Sequence, residues 1–129
     1  MQGLQIAESA FPVKEAVDRM VEAVEEEGWH LFARIDHAGQ ARKKGLELRP
    51  TELILLGNPE IGTRLMQDRQ VAAIDLPMKV LAWEDADGTV RIAHNSMAWL
   101  EERHGLTDAA TLRAIGEVLT RVCAAARAA

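Results

Sequence analysis

The feature that most constrains the fold is a short run, Thr51–Leu56, that is apolar on both faces of a strand. Side chains alternate across a β-strand, so Leu53 and Leu55 point to one face. Ile54 and Leu56 point to the other. A strand of this kind needs cover on both faces, from helices or from a second subunit. The apolar residues on both faces of this strand therefore lead us to predict a homodimer.

The chain has enough residues for one hydrophobic core. It has 129 residues, of which 48% are hydrophobic and 27% are charged, and this composition is typical of a globular domain. A chain of this length buries roughly two-thirds of the surface that its unfolded form exposes. Because no repeat, low-complexity stretch or flexible linker divides the sequence, we predict a single domain over residues 1–129.

Hydrophobic periodicity predicts five strands and two long helices. Apolar residues at helical spacing indicate a helix from Val13 to a stop at Gly28 and a final helix after Thr107 or Asp108. The predicted strands are Leu4–Glu8, Trp29–Asp36, Thr51–Leu56, Pro77–Glu84 and Thr89–His94. The order strand, helix, four strands, helix indicates an α+β fold: an antiparallel sheet of about five strands with helices packed on one face and short helices in the connections.

Two local predictions follow from these patterns. Strict alternation in the second strand places Leu31, Ala33 and Ile35 together on one face. The segment Val71–Asp75 shows neither helical nor strand spacing, and we predict a loop there.

Several short motifs follow one another along the chain: Ile35-Asp36-His37-Ala38, Leu48-Arg49-Pro50-Thr51, Leu56-Gly57-Asn58-Pro59, Gly62-Thr63 with Leu65-Met66, Ile74-Asp75-Leu76-Pro77, and Trp83-Glu84-Asp85 leading to Gly88. This ordered set resembles the bacterial and archaeal domain-of-unknown-function family numbered 302. The resemblance covers about residues 4–104. It implies an α+β topology like that of the TATA-box-binding protein, often dimeric, with no established reaction. The helix over about residues 107–127 is expected to extend beyond the common domain.

Charge and cysteine content disfavour several kinds of partner. Fifteen Lys and Arg against twenty Asp and Glu give a net charge of −5, which disfavours binding to a nucleic-acid backbone. No segment approaches the roughly 20 apolar residues of a membrane span, and the first residues lack the pattern of a signal peptide. The lone cysteine, Cys123, forms no internal disulfide, and the histidines lack metal-ligand spacing. We therefore expect a cytoplasmic protein without nucleic acid, membrane, metal or cofactor.

Four side chains are candidates for a ligand site. His37 follows a predicted strand, and its imidazole titrates near neutral pH, which suits an acid, a base or a ligand. Asn58 lies at a strand-to-helix junction, where free N–H groups favour an anion, although Asn is also a good helix cap. Thr63 follows in the same helix. Asp75 precedes Leu76-Pro77 and either forms a turn or orients His37. His104 is expected at the surface, at the end of a helix.

Three functions are compatible with these residues. The first is binding of a small polar or anionic ligand by His37, Asn58, Thr63 and Asp75. The second is a hydrolase or isomerase in which Asp75 orients His37, which requires the two side chains within hydrogen-bond reach. The third is an interaction module without a small-molecule site, in which the motifs are turns and caps. No phosphate-binding loop, nucleophile elbow or His-Glu-x-x-His pair identifies catalytic residues.

Overall fold

The structure is a computed structural model that describes residues 2–128. One antiparallel sheet runs through the molecule. Met1 and Ala129, the two ends of the predicted domain, lie outside the described residues. The strands are β1 (Leu4–Ser9), β2 (His30–Asp36), β3 (Thr51–Gly57), β4 (Met78–Glu84) and β5 (Val90–Asn95). They are arranged in the order β1-β5-β4-β3-β2, with every neighbouring pair antiparallel. The predicted α+β fold with a five-stranded sheet is confirmed.

Five α-helices and one 3-10 helix connect or follow the strands. They are α1 (Val13–Glu26), α2 (His37–Lys43), α3 (Pro59–Asp68), the 3-10 helix Gln70–Asp75, α4 (Met97–His104) and α5 (Ala109–Ala124). Side-chain oxygens accept first-turn N–H groups at the start of four helices, from Asp36, Asn58, Ser96 and Asp108. Each of these caps satisfies backbone donors that a helix leaves free at its N-terminus.

The loop predicted over Val71–Asp75 is wrong, because the structure forms the 3-10 helix there. Its turns are closed by backbone hydrogen bonds from Ala72 to Arg69 and from Leu76 to Ala73. Ala72 packs into the core, while Val71 and Ile74 remain largely exposed. A single buried side chain in six residues gives no readable period, so the sequence pattern could not reveal this element.

The core lies between the helical layer and one face of the sheet. The fully buried side chains there include Met20 of α1, Ile54 and Leu56 of β3, Val80 of β4, Ile92 of β5, and Ile115 and Leu119 of α5. In α1 the buried residues fall at helical spacing, as a single stripe. Helices therefore cover one of the two apolar faces of β3.

The second face of the sheet is apolar and partly open to solvent. Leu53 of β3 pairs with Leu81 of β4, which pairs in turn with Ala93 of β5. Leu53 and Leu81 are half-buried, and Ile6 at the edge in β1 is 42% exposed. A shallow groove, with Leu48 in its lining, runs over this surface. We call this surface the open face.

The strict alternation predicted for the second strand is wrong after Leu31. Leu31 pairs with Leu56 on the core side, whereas Ala33 pairs with Leu55 on the open face. The register shifts between them because Phe32 is an extra residue in β2, that is, a β-bulge. One inserted residue reverses every later side chain, since the side-chain period of a strand is two.

The bulge turns Arg34 toward α1, where it joins two elements. Its Nε donates to Oε1 of Glu52 and its Nη1 to Oδ1 of Asp18, both at 2.7 Å. The hydrogen bonds from Arg34 and Lys14 hold the pKa of Asp18 below its usual value. Glu52 is only 9% exposed, so its carboxylate depends on Arg34 for compensation of its charge.

We expect Arg34→Leu to lower the free energy of unfolding by about 2 kcal/mol, because it leaves the Glu52 carboxylate buried without a cation. Arg64→Leu is the matched control: it breaks an exposed ion pair with Glu60 and should change stability by less than about 0.5 kcal/mol. Urea unfolding followed by circular dichroism measures both. The double variant Arg34→Leu/Glu52→Leu should regain most of the loss, and a double variant no more stable than Arg34→Leu would contradict the explanation.

Candidate ligand-binding site

A cavity of about 340 Å³ lies where β3 ends and α3 begins. We call it the β3–α3 cavity. Most of its wall is apolar and comes from separate elements, including Trp29, Phe32, Ile61, Met66, Leu76 and Met78. A volume of this size, with mostly apolar walls, falls within the ~300–1,000 Å³ range of small-molecule sites.

The aromatic part of the wall depends on the bulge and on a glycine. Phe32 is the bulged residue of β2 and remains 48% exposed beside the cavity, whereas Trp29 is almost fully buried. A Cβ atom at Gly57 would lie 3.2 Å from Cε2 of Phe32. The absence of a side chain at Gly57 therefore lets the Phe32 ring lie close against the end of β3.

Two of the four predicted site residues, Asn58 and Thr63, line the cavity. Oδ1 of Asn58 accepts hydrogen bonds from the backbone N–H groups of Glu60, at 3.0 Å, and Ile61, at 3.4 Å. The hydroxyl of Thr63 donates to the carbonyl oxygen of Pro59 at 2.6 Å. The cap thus occupies two of the N–H groups expected to attract an anion, which weakens the basis for an anion site at this helix end.

Asp75 lies behind the cavity wall and connects it to α4. Its Oδ2 lies 2.5 Å from Nε2 of His104 and 3.5 Å from Nε of Arg103. Asp75 ends the 3-10 helix, and the adjacent Ala73 and Leu76 line the cavity. The Asp75–His104 contact therefore fixes one wall in place.

The expectation that His104 lies at the surface is wrong, because the residue is only 9% exposed. It ends α4, and Gly105 then turns the chain with a positive φ of 66°. That left-handed cap was visible in the sequence, but the burial of His104 requires the long-range contact with Asp75, which no local pattern indicates.

His37 lies at the opposite end of the sheet from Asp75. It begins α2 directly after Asp36, which pairs with Glu52 near the start of β3. Asp75 precedes β4, whose first residue pairs with Leu56 near the end of β3. Four residues of β3 separate these positions, about 13 Å at the usual rise of a strand. The predicted pairing of His37 with Asp75, and a single pocket containing both, are therefore wrong.

Within residues 2–128, no group of three or more His, Cys, Asp or Glu side chains is placed to hold a metal ion. Cys123 is buried in α5, and this burial raises the pKa of its thiol to about 11. The thiol is therefore almost wholly protonated near neutral pH and is a poor nucleophile. Across the same described range, no helix combines the length and the apolar character needed to cross a membrane.

The fold and the cavity define a class: a small α+β domain with an apolar cavity at one end of a five-stranded antiparallel sheet. The family model described as "Domain of unknown function DUF302" matches residues 5–126. The chain belongs to this family, as the sequence motifs predicted. The match includes α5 together with the sheet.

A solved structure agrees with this assignment, and curated proteins match the chain over only part of their own length. The crystal structure of an uncharacterised conserved DUF302 protein from Bacillus stearothermophilus superposes with a TM-score of 0.84 at 18% identity, over 98% of this chain and 100% of that chain. Proteins named "Fluoride-specific ion channel FluC 1", from Brucella suis and Brucella abortus, are each 45% identical over 104 residues. These residues are 81% of this chain but only 41% and 38% of the two relatives.

We expect His104→Ala to lower the free energy of unfolding by about 2 kcal/mol, because it removes the partner of a largely buried carboxylate. His37→Ala removes an exposed imidazole at the start of α2 and should change stability by less than about 0.5 kcal/mol. Urea unfolding at pH 7 measures both variants. Equal effects of the two substitutions would show that the Asp75–His104 contact contributes nothing to the free energy of unfolding.

Proposed function

We propose that this protein binds a small, mainly apolar molecule in the β3–α3 cavity. The observation that carries the proposal is the cavity itself, about 340 Å³ in volume and lined chiefly by aromatic, aliphatic and methionine side chains. Burial of apolar ligand surface contributes about 25 cal/mol per Å². The two methionines, Met66 and Met78, add flexible, polarisable walls that adapt to ligand shape.

The chemistry of the wall favours binding over catalysis. Among the described residues that line the cavity there is no histidine, cysteine, lysine or carboxylate. A hydrolase or isomerase needs a group that can transfer a proton or attack a substrate, and such groups come mainly from these side chains. The polar side chains Asn58 and Thr63 suit recognition instead. This supports a binding domain rather than the enzyme that sequence reasoning kept as an alternative.

Fluoride, the ion named for the channel relatives, is a poor match to this cavity. A small anion needs several N–H donors or a cation to replace its hydration. Asn58 already accepts from two first-turn N–H groups of α3, and no Lys or Arg of the described chain lines the cavity. The channel activity of those relatives is therefore not part of the function proposed for this chain.

Gly62 allows the cavity to be filled from within α3. A Cβ atom added there would have Leu76 Cδ1 as its nearest contact, at 3.9 Å. We expect Gly62→Leu to occupy the cavity and to weaken binding of the neutral fluorophore N-phenyl-1-naphthylamine at least tenfold. Gly62→Ala is the matched control, since it adds one methyl group and raises helix propensity; its affinity should stay within about twofold of wild type. Fluorescence titration gives both constants, and unchanged binding by Gly62→Leu would refute the proposed site.

We also propose that two copies associate through the open face. The half-buried centre of this face consists of Leu53, Leu81 and Trp83, and the more exposed side chains are Ile6 and Leu48. Five strands about 4.8 Å apart give a face about 24 Å wide. One row of apolar side chains crosses all five strands of this face, from Ile6 through Ala93, Leu81 and Leu53 to Ile35, and such a row is typical of an interface.

Leu81→Lys tests this association, because it places a charge at the centre of the open face. Wild type should elute with twice the 14.2 kDa mass of one chain, and Leu81→Lys with the mass of a single chain. Ile74→Lys, on the exposed 3-10 helix, should leave the mass unchanged. Size-exclusion chromatography with light scattering measures all three, and a monomeric wild type would contradict the proposal.

A further inference from the structure

We infer that Asn58 selects the ligand of the β3–α3 cavity, and that this ligand is an apolar molecule carrying a hydrogen-bond acceptor, such as a carbonyl or carboxylate oxygen. The inference rests on the proposed function and specifies its ligand class. It assigns two roles to one side chain: the oxygen of Asn58 caps α3, and its NH₂ group donates a hydrogen bond to the ligand.

The cap fixes the orientation of the Asn58 amide. Its Oδ1 accepts from the N–H groups of Glu60 and Ile61. The opposite orientation would place the NH₂ group against two N–H donors, which excludes it. Since the carboxamide is planar, Nδ2 points away from the first turn of α3, and its two hydrogens need acceptors elsewhere.

Nδ2 of Asn58 forms no hydrogen bond within residues 2–128, and it is open to solvent beside the cavity, because no buried side-chain nitrogen there lacks a partner. Trp29 is the other lining side chain with an N–H group, and its indole can only donate a hydrogen bond. Thr63 commits its hydroxyl hydrogen to Pro59. The wall therefore offers a ligand uncharged hydrogen-bond donors.

A ligand that matches this wall places its apolar body among the methionine and aromatic side chains and directs an oxygen toward Asn58. A purely apolar ligand that covered the NH₂ group would displace water from it without supplying an acceptor, and this costs binding free energy. A ligand whose polar group is only a donor would meet the NH₂ group without forming a bond.

Asn58→Asp separates the two roles. An aspartate oxygen caps a helix about as well as asparagine, so α3 should keep its start and the thermal midpoint should stay close to that of wild type. The same substitution removes the donor and presents a negative charge to an acceptor. The experiment compares two fluorophores of similar size: 6-propionyl-2-(dimethylamino)naphthalene, which has a carbonyl acceptor, and N-phenyl-1-naphthylamine, which has none.

We expect Asn58→Asp to weaken binding of the carbonyl probe at least tenfold and not to weaken binding of N-phenyl-1-naphthylamine, whose polar group is an N–H donor that a carboxylate can accept. The emission maximum of the carbonyl probe should also shift to shorter wavelength in any residual complex, because its oxygen loses a hydrogen bond. Equal weakening of both probes, or of neither, would overturn the role of Asn58 while leaving the cavity as a binding site. Failure of wild type to bind either probe would overturn the proposed function together with this inference.

Discussion

The structure depends on the double burial that the side chains of β3 require. Because this strand is apolar on both faces, it occupies an interior position in the sheet, between β2 and β4. Its core side packs beneath α1, and its far side forms the centre of the open face. The position of the strand also fixes the position of its end. Gly57 and Asn58 turn the chain into α3 there. Burial of the β3 side chains therefore determines where the β3–α3 cavity lies.

Hydrogen bonds accepted by a few acidic side chains hold the helical layer around that cavity. Asp75 contacts His104 of α4, and Asp68 accepts from the backbone N–H groups of Thr107 and Asp108 at the start of α5. The hydrogen bonds from Asp108, and then from Thr107, hold the pKa of Asp68 below its usual value. Asp68 lies just before the 3-10 helix and Asp75 ends it, so the two carboxylates join this segment to the start of α5 and to α4.

Local patterns predicted the elements and their caps, but not the contacts between distant segments. The Asn58 cap and the helical stripe of α1 follow from neighbouring residues alone, and both are present. The bulge at Phe32 is one extra residue in β2. The alternation of apolar and polar residues in the sequence is the same whether or not the pairing of β2 with β3 shifts at that residue. The separation of His37 from Asp75 follows from strand pairing, which the residues near each site do not encode. Asn58 and Thr63 line one cavity because little more than one helical turn separates them.

The bulge in β2 has a consequence for how copies of this chain can meet. β2 is an edge strand, and an edge strand presents unpaired backbone groups to any passing strand. Phe32 interrupts the regular spacing of those groups, because the residues on either side of it no longer share one ladder. A strand from another molecule therefore cannot extend the sheet evenly along this edge. The irregular edge therefore protects the β2 side of the sheet from edge-to-edge aggregation.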